Sequence, residues 1–112
     1  MKDFFSKLYI TIDLRLKKKK ISSYSFFLSK KGIDYCLKKF KEETIEFVDS
    51  VKSKEKNSRI IYEAADMLYH FFLILVKKKI KYSLLLKEMK RRTRFSGLEE
   101  KQLRKIIVKK NY

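Results

Sequence analysis

A chain of 112 residues with 45% apolar side chains, 9 Phe and 7 Tyr can build one core, which excludes a disordered segment and a multidomain assembly. With no Pro and only two Gly, Gly32 and Gly97, it lacks the breakers of a turn-rich β fold and favours long helices. A net charge of +17 points to an anionic partner such as nucleic acid or a polyphosphate, while the single Cys36 excludes an internal disulfide and reads as an idle thiol.

In chain order, residues 2–16 place Phe4, Phe5, Leu8, Ile12 and Leu16 on an i, i+4 ladder and predict an amphipathic helix. This opening lacks the unbroken apolar core of a secretion signal. Lys17 to Lys20 reads as a solvated helix end or loop. Ser22 and Ser23 offer an N-cap for a short helix over 24–30, and Gly32 suits the C′ position beyond it. A long helix is expected from Asp34, a candidate N-cap, to Val51, with Leu37, Phe40, Ile45, Phe47, Val48 and Val51 apolar. Polar residues 53–58 form a turn. A third long helix, 58–79, is apolar on most sides and therefore buried, yet its apolar run is shorter than the roughly 20 residues of a membrane span. A further helix over 83–92 and a basic tail, 93–112, complete the chain. The sum is one all-α domain over 1–112, a small bundle of four to five helices. So few short helices cannot surround 58–79, so homodimerisation is expected to complete the core.

The charge is uneven. Residues 1–41 carry 12 basic and 3 acidic groups, 67–112 carry 14 and 3, but 42–66 carry 4 and 7. That acidic zone holds two carboxylate steps, Glu42-Glu43-x-x-Glu46 and Glu63-x-x-Asp66, the second inside nearly uncharged sequence. A charge in apolar surroundings is costly unless paired or holding a metal. At about 100° per residue, with Phe40 at zero, the apolar face of the second long helix centres near 20°. Glu43 falls at about 300° and Glu46 at about 240°, flanking it, with Lys39 on the same stripe and Glu42 turned away. With Ile60 at zero, Glu63, Asp66 and His70 fall at about 300°, 240° and 280°. If the two helices pack antiparallel, Glu43, Glu46, Glu63 and Asp66 converge into a cage of oxygen donors suited to Mg²⁺, or Mn²⁺ in its place. The competing reading is a solvated acidic face plus a buried salt bridge to Lys39 or Arg59. His70, the only histidine, reads first as a core histidine bonded to backbone or carboxylate. No glycine-rich phosphate loop or nucleophile elbow is present.

The stretch SYSFFLSKKGIDYCLKKFKEETIE followed by EAADMLYHFFLIL resembles the phosphoribosyl-ATP pyrophosphohydrolases, whose pattern is SYTxxLLxKG, KxGEExxE and EAADLxYHxLVLL. These belong to the all-α nucleoside triphosphate pyrophosphohydrolases. RRTRFSGLEEKQLRK is similar to their SGLEEKxxRK tail, so the likeness covers almost the whole chain. Ser25 stands where Thr is usual, Phe26 replaces a small residue, and Lys41 replaces the glycine before the paired glutamates. The resemblance implies Mg²⁺-dependent hydrolysis of phosphoribosyl-ATP to phosphoribosyl-AMP and pyrophosphate, the second step of histidine biosynthesis, in the cytoplasm. It implies catalytic and metal roles for Glu43, Glu46, Glu63 and Asp66, with Glu42 a further candidate ligand. Lys39 is the expected phosphate contact, with Tyr24, His70 and Lys101 as further candidate substrate contacts. A phosphoribosyl-AMP cyclohydrolase on a separate chain is the expected pathway neighbour; no membrane or nucleic-acid partner is expected. The alternatives are a house-cleaning nucleoside triphosphate pyrophosphohydrolase and a basic nucleic-acid-binding helical module.

Overall fold

The computed structural model describes residues 3–20, 22–94 and 97–111, and every element among them is helical. There are six helices among the described residues: α1 (Phe4–Lys18), α2 (Tyr24–Lys30), α3 (Ile33–Lys52), α4 (Asn57–Lys77), α5 (Tyr82–Arg92) and α6 (Gly97–Asn111). The count exceeds the expected four to five because the basic tail is itself a helix. Its alternation of Leu98, Leu103, Ile106 and Ile107 with charged residues permits one without Pro or an internal Gly.

The chain divides into two compact units, one ending at Lys81 and one beginning at Tyr82. In the first, α1 is capped by Asp3, whose carboxylate accepts from the Ser6 N–H at 2.8 Å, and stops at Lys19 with φ 52°. The Ser23 hydroxyl accepts from the Phe26 N–H and caps α2, as its sequence suggests. Gly32 takes φ 99° and both follows α2 and caps α3, so Asp34 lies inside the first turn rather than at the cap. The four residues between α3 and α4 turn them into an antiparallel hairpin, the main packing of the unit.

The core is small. Ile12, Leu28, Cys36, Phe72, Leu73 and Val76 are buried. Phe5 stacks on Phe72 with centroids 5.3 Å apart, fixing α1 against α4. Cys36 donates its S–H to the Leu28 carbonyl at 3.3 Å, and burial raises its pKa, so the thiol is idle as expected. Lys77 Nζ donates to the Ser29 carbonyl at 2.7 Å and ties α2 to the end of α4.

The seam of α3 differs from the expected one. Its inward stripe is Cys36, Phe40, Glu43, Phe47 and Ser50, while Leu37, Val48 and Val51 are 41–48% exposed. The buried face is thus rotated by about 60° from the one the apolar residues alone define. Glu43 therefore lies within the seam rather than beside it. Nor is α4 covered all round in one copy: Ile61 is 67% and Tyr62 60% exposed. In the second unit α5 carries a fork from Glu88 to Arg91 Nη2 at 2.8 Å and Arg92 Nε at 3.3 Å, which holds the Glu88 carboxyl down at about 2.

Candidate active site

Two facing helices bring the acids together. From α3 comes Glu43, 9% exposed; from α4 come Glu63, 2% exposed, and the half-buried Asp66. One carboxylate oxygen from each lies within 4.8 Å of the others. Glu46, one turn beyond Glu43, is exposed and stands outside that triad, but the charge of its carboxyl acts on both Glu43 and Glu63. The expected convergence of four acids is thus three close donors and one at the rim. Glu42 is solvent-facing, as its helical position requires, and bonds Lys39 Nζ at 3.0 Å rather than joining the cluster.

Crowded buried carboxylates resist ionisation. Burial first, then the charges of Glu46 and Asp66, push Glu43 up to about 7, with Lys39 opposing. Burial also raises Glu63, against the pull of Arg59. Arg59 Nη2 reaches Glu63 Oε1 at 2.8 Å, so the salt bridge offered as the competing reading is present. It does not account for the site. Oε2 of Glu63 and Oε2 of Glu43 are both buried without a hydrogen-bond partner among the described residues. Orphaned buried carboxylate oxygens carry a desolvation cost that a cation offsets. The donors are all hard oxygens, the set that suits Mg²⁺ or Mn²⁺. Beside them a recess of about 220 Å³ is lined by Glu46, Asp49, Ser50, Arg59 and Glu63 among others. Asp49 was not singled out by sequence reasoning, although it stands three residues after Glu46 on the same helix.

Around the acids the remaining candidates fall into two groups. Lys39 is half-buried, with its ammonium on Glu42 and in reach of the charge of Glu43. His70 is buried, and its Nδ1 donates to the Asp66 carbonyl at 2.8 Å. A carbonyl only accepts, so Nδ1 carries the proton and Nε2 accepts from the Tyr24 hydroxyl at 3.0 Å. His70 is therefore the backbone-bonded core histidine, and it reaches the site only through Tyr24 and the Asp66 backbone. Burial, then the charges of Glu43 and Asp66, raise the Tyr24 pKa against Lys39, keeping the phenol a donor. Lys101 is exposed on α6, in the second unit; Ser96 of the tail motif lies outside the described residues. Sequence reasoning missed a cleft of about 410 Å³ in the first unit, lined by Arg15, Lys18, Lys20, Ser22, Ser23, Tyr24 and Tyr69. The basic run at 17–20 and the candidate contact Tyr24 were its signals.

Comparison with known proteins accords with this geometry. Residues 5–93 match the family model described as phosphoribosyl-ATP pyrophosphohydrolase. A phosphoribosyl-ATP pyrophosphatase of Ignicoccus hospitalis is 35% identical over 84% of this chain and 91% of its own length. Phosphoribosyl-ATP pyrophosphatase 1 of Bradyrhizobium diazoefficiens is 40% identical over 85% and 89%. A phosphoribosyl-ATP pyrophosphatase of Ruthia magnifica is 38% identical over 93% and 98%.

Proposed function

The chain belongs to the phosphoribosyl-ATP pyrophosphohydrolase family and is a hydrolase of a pyrophosphate bond; from that premise we propose that it converts phosphoribosyl-ATP and water to phosphoribosyl-AMP and pyrophosphate with Mg²⁺ as cofactor. The observation that carries the metal is the pair of orphaned buried oxygens on Glu43 and Glu63 within the acid triad. Glu43, Glu63 and Asp66 hold the ion, with Glu46 closing the rim and Mn²⁺ as a substitute. Bound there, the cation supplies charge neutralisation for the triphosphate and Lewis-acid polarisation at phosphorus.

The chain's own groups do the rest. Glu46, exposed at the rim beside two acids that resist ionisation, is placed to orient a water and accept its proton. Lys39 exchanges its solvent-facing partner Glu42 for a phosphate oxygen. Tyr24, whose proton goes to His70 Nε2, keeps its oxygen lone pairs as acceptors beside the cluster. Arg59 fixes one oxygen of Glu63 and leaves the other for the ion. Pyrophosphate departs as one piece, so the bond broken lies between the α and β phosphorus atoms.

We take 1–112 as one domain of this family, since the family match runs across the boundary at 81 and 82. The exposed Ile45, Val48, Val51, Ile61 and Leu68 on α3 and α4 support a homodimer. No helix among the described residues is long and apolar enough to cross a membrane; the cytoplasm is the proposed setting. The deciding assay incubates purified protein with phosphoribosyl-ATP or ATP, with Mg²⁺ or with chelator, and identifies the products. Phosphoribosyl-AMP and pyrophosphate only with Mg²⁺ is the expected result. Equal turnover of the two substrates would assign the chain to general nucleotide house-cleaning instead.

A further inference from the structure

The substrate of the proposed reaction is charged at two ends, a triphosphate at one and a sugar phosphate monoester at the other. The acid cluster answers only the first. The cleft beside it has the opposite character: three cations, two serines and two tyrosines line about 410 Å³, within the range of small-ligand pockets. Tyr24 belongs to both places. It lines the cleft, and its hydroxyl feels the charges of Glu43 and Asp66. Through its bond to His70, whose Nδ1 donates to the Asp66 carbonyl, Tyr24 links the cleft to the helix that carries Glu63 and Asp66.

Its cations are not simply a helix end. Basic groups in the last turn of α1 do offset the helix dipole. Of the run at 17–20, however, Lys17 is taken by Asp13 at 2.9 Å. Among the described residues Lys18 and Lys20 enter no ion pair. Arg15 donates from Nη1 to the Tyr69 hydroxyl at 2.9 Å, which in turn bonds Ser25 Oγ. A guanidinium has five N–H donors, so one aimed at Tyr69 orients the group and leaves others for an anion. The half-buried Tyr69, anchored on the fully buried Ser25, orients Arg15 at the cleft wall. A preoriented guanidinium with two exposed ammoniums and nearby hydroxyls is the chemistry that recognises a phosphate dianion.

We propose that this cleft binds a sugar phosphate monoester, and that in the enzyme it holds the 5-phosphate of the substrate's second ribose through Arg15, Lys18 and Lys20. The identity of that phosphate rests on the proposed reaction; the preference of the cleft for a sugar phosphate does not. The cleft would then separate phosphoribosyl-ATP from ATP, which lacks that group, by remote binding energy.

The test has a binding arm and a kinetic arm. Calorimetric titration in chelator, so that the metal site is silent, compares ribose 5-phosphate with ribose on three proteins: the unaltered chain, K18A/K20A, and K78A/K81A, which removes the same charge from exposed positions elsewhere. Ribose 5-phosphate should bind the unaltered chain and K78A/K81A alike, about tenfold or more weaker to K18A/K20A, and ribose should not bind. In turnover, K18A/K20A should raise KM for phosphoribosyl-ATP by about tenfold or more, with kcat little changed. Equal affinity for ribose 5-phosphate in all three proteins, or equal losses in the two double variants, overturns the proposal by making the attraction one of bulk charge. Site-specific binding of ribose 5-phosphate in a chain that does not hydrolyse phosphoribosyl-ATP would uphold the cleft and sink the proposed reaction alone.

Discussion

Removing charge from Glu43 should stabilise the metal-free protein, and only above mildly acidic pH. Its carboxyl is pushed from 4.5 to about 7 in the folded chain. The folded state then holds the proton more tightly than the unfolded state, so this contribution to stability is fully present below about 4.5 and is lost as pH rises through about 7. At about 1.36 kcal/mol per pH unit the ceiling is about 3 kcal/mol. Its neighbours Glu46 and Asp66 titrate with it, so the share carried by Glu43 alone falls to about 1–2 kcal/mol. For a domain of this size that corresponds to a melting shift of about 4–10 °C. The assay is thermal unfolding by circular dichroism at about pH 4 and about pH 8, in chelator, for the unaltered chain and E43Q. The unaltered chain should lose the shift between the two pH values and E43Q should not; taking the difference removes titrations common to both. Millimolar Mg²⁺ at pH 8 should restore the unaltered chain and leave E43Q unmoved. Parallel pH profiles for the two proteins would refute the burial of a strained carboxyl in this seam.

Three further outcomes follow from the same geometry. Glu63→Gln should lower Mg²⁺-dependent turnover by about 100-fold or more while the helical circular dichroism stays intact; E42Q, altered at a solvent-facing position, should lose less than about tenfold, and the reverse order would place Glu42 in the cage. Leu73→Ala, at a fully buried position on α4, should cost about 2–5 kcal/mol in denaturant unfolding; a cost below about 1 kcal/mol would show that the small core does not carry the first unit. Sedimentation should give a dimer, and Ile61→Glu with Leu68→Glu should yield monomer; an unchanged mass would move the interface off α4.

How far the sequence reached depended on the kind of constraint. Local rules located the elements: Ser23 caps α2 and Gly32 takes positive φ because short-range chemistry leaves few options. Glu63 and Asp66 were legible because a carboxylate among Ala, Ile and Leu is anomalous wherever it points. The rotation of α3 was not legible. Apolar side chains define a face without saying what covers it, and here Leu37, Val48 and Val51 stand outside the hairpin seam while Glu43 and Ser50 stand inside. The tail helix was passed over because its charges obscured the apolar spacing. The cationic cleft gathers side chains from α1, the following turn, α2 and α4, so no single helical wheel contains it.

Gly32 stands between α2, which carries Tyr24 and Ser25, and α3, which carries Lys39 and Glu43. Its φ of 99° and ψ of 167° lie in a region open essentially to glycine alone. A Cβ there would meet nothing within 4 Å, so any penalty for substitution is torsional rather than steric crowding. A bulkier residue would relax that torsion, swinging the phenol away from the carboxylates while each helix stayed intact. The aim of the aromatic wall at the acids thus hangs on the freedom of one unsubstituted carbon.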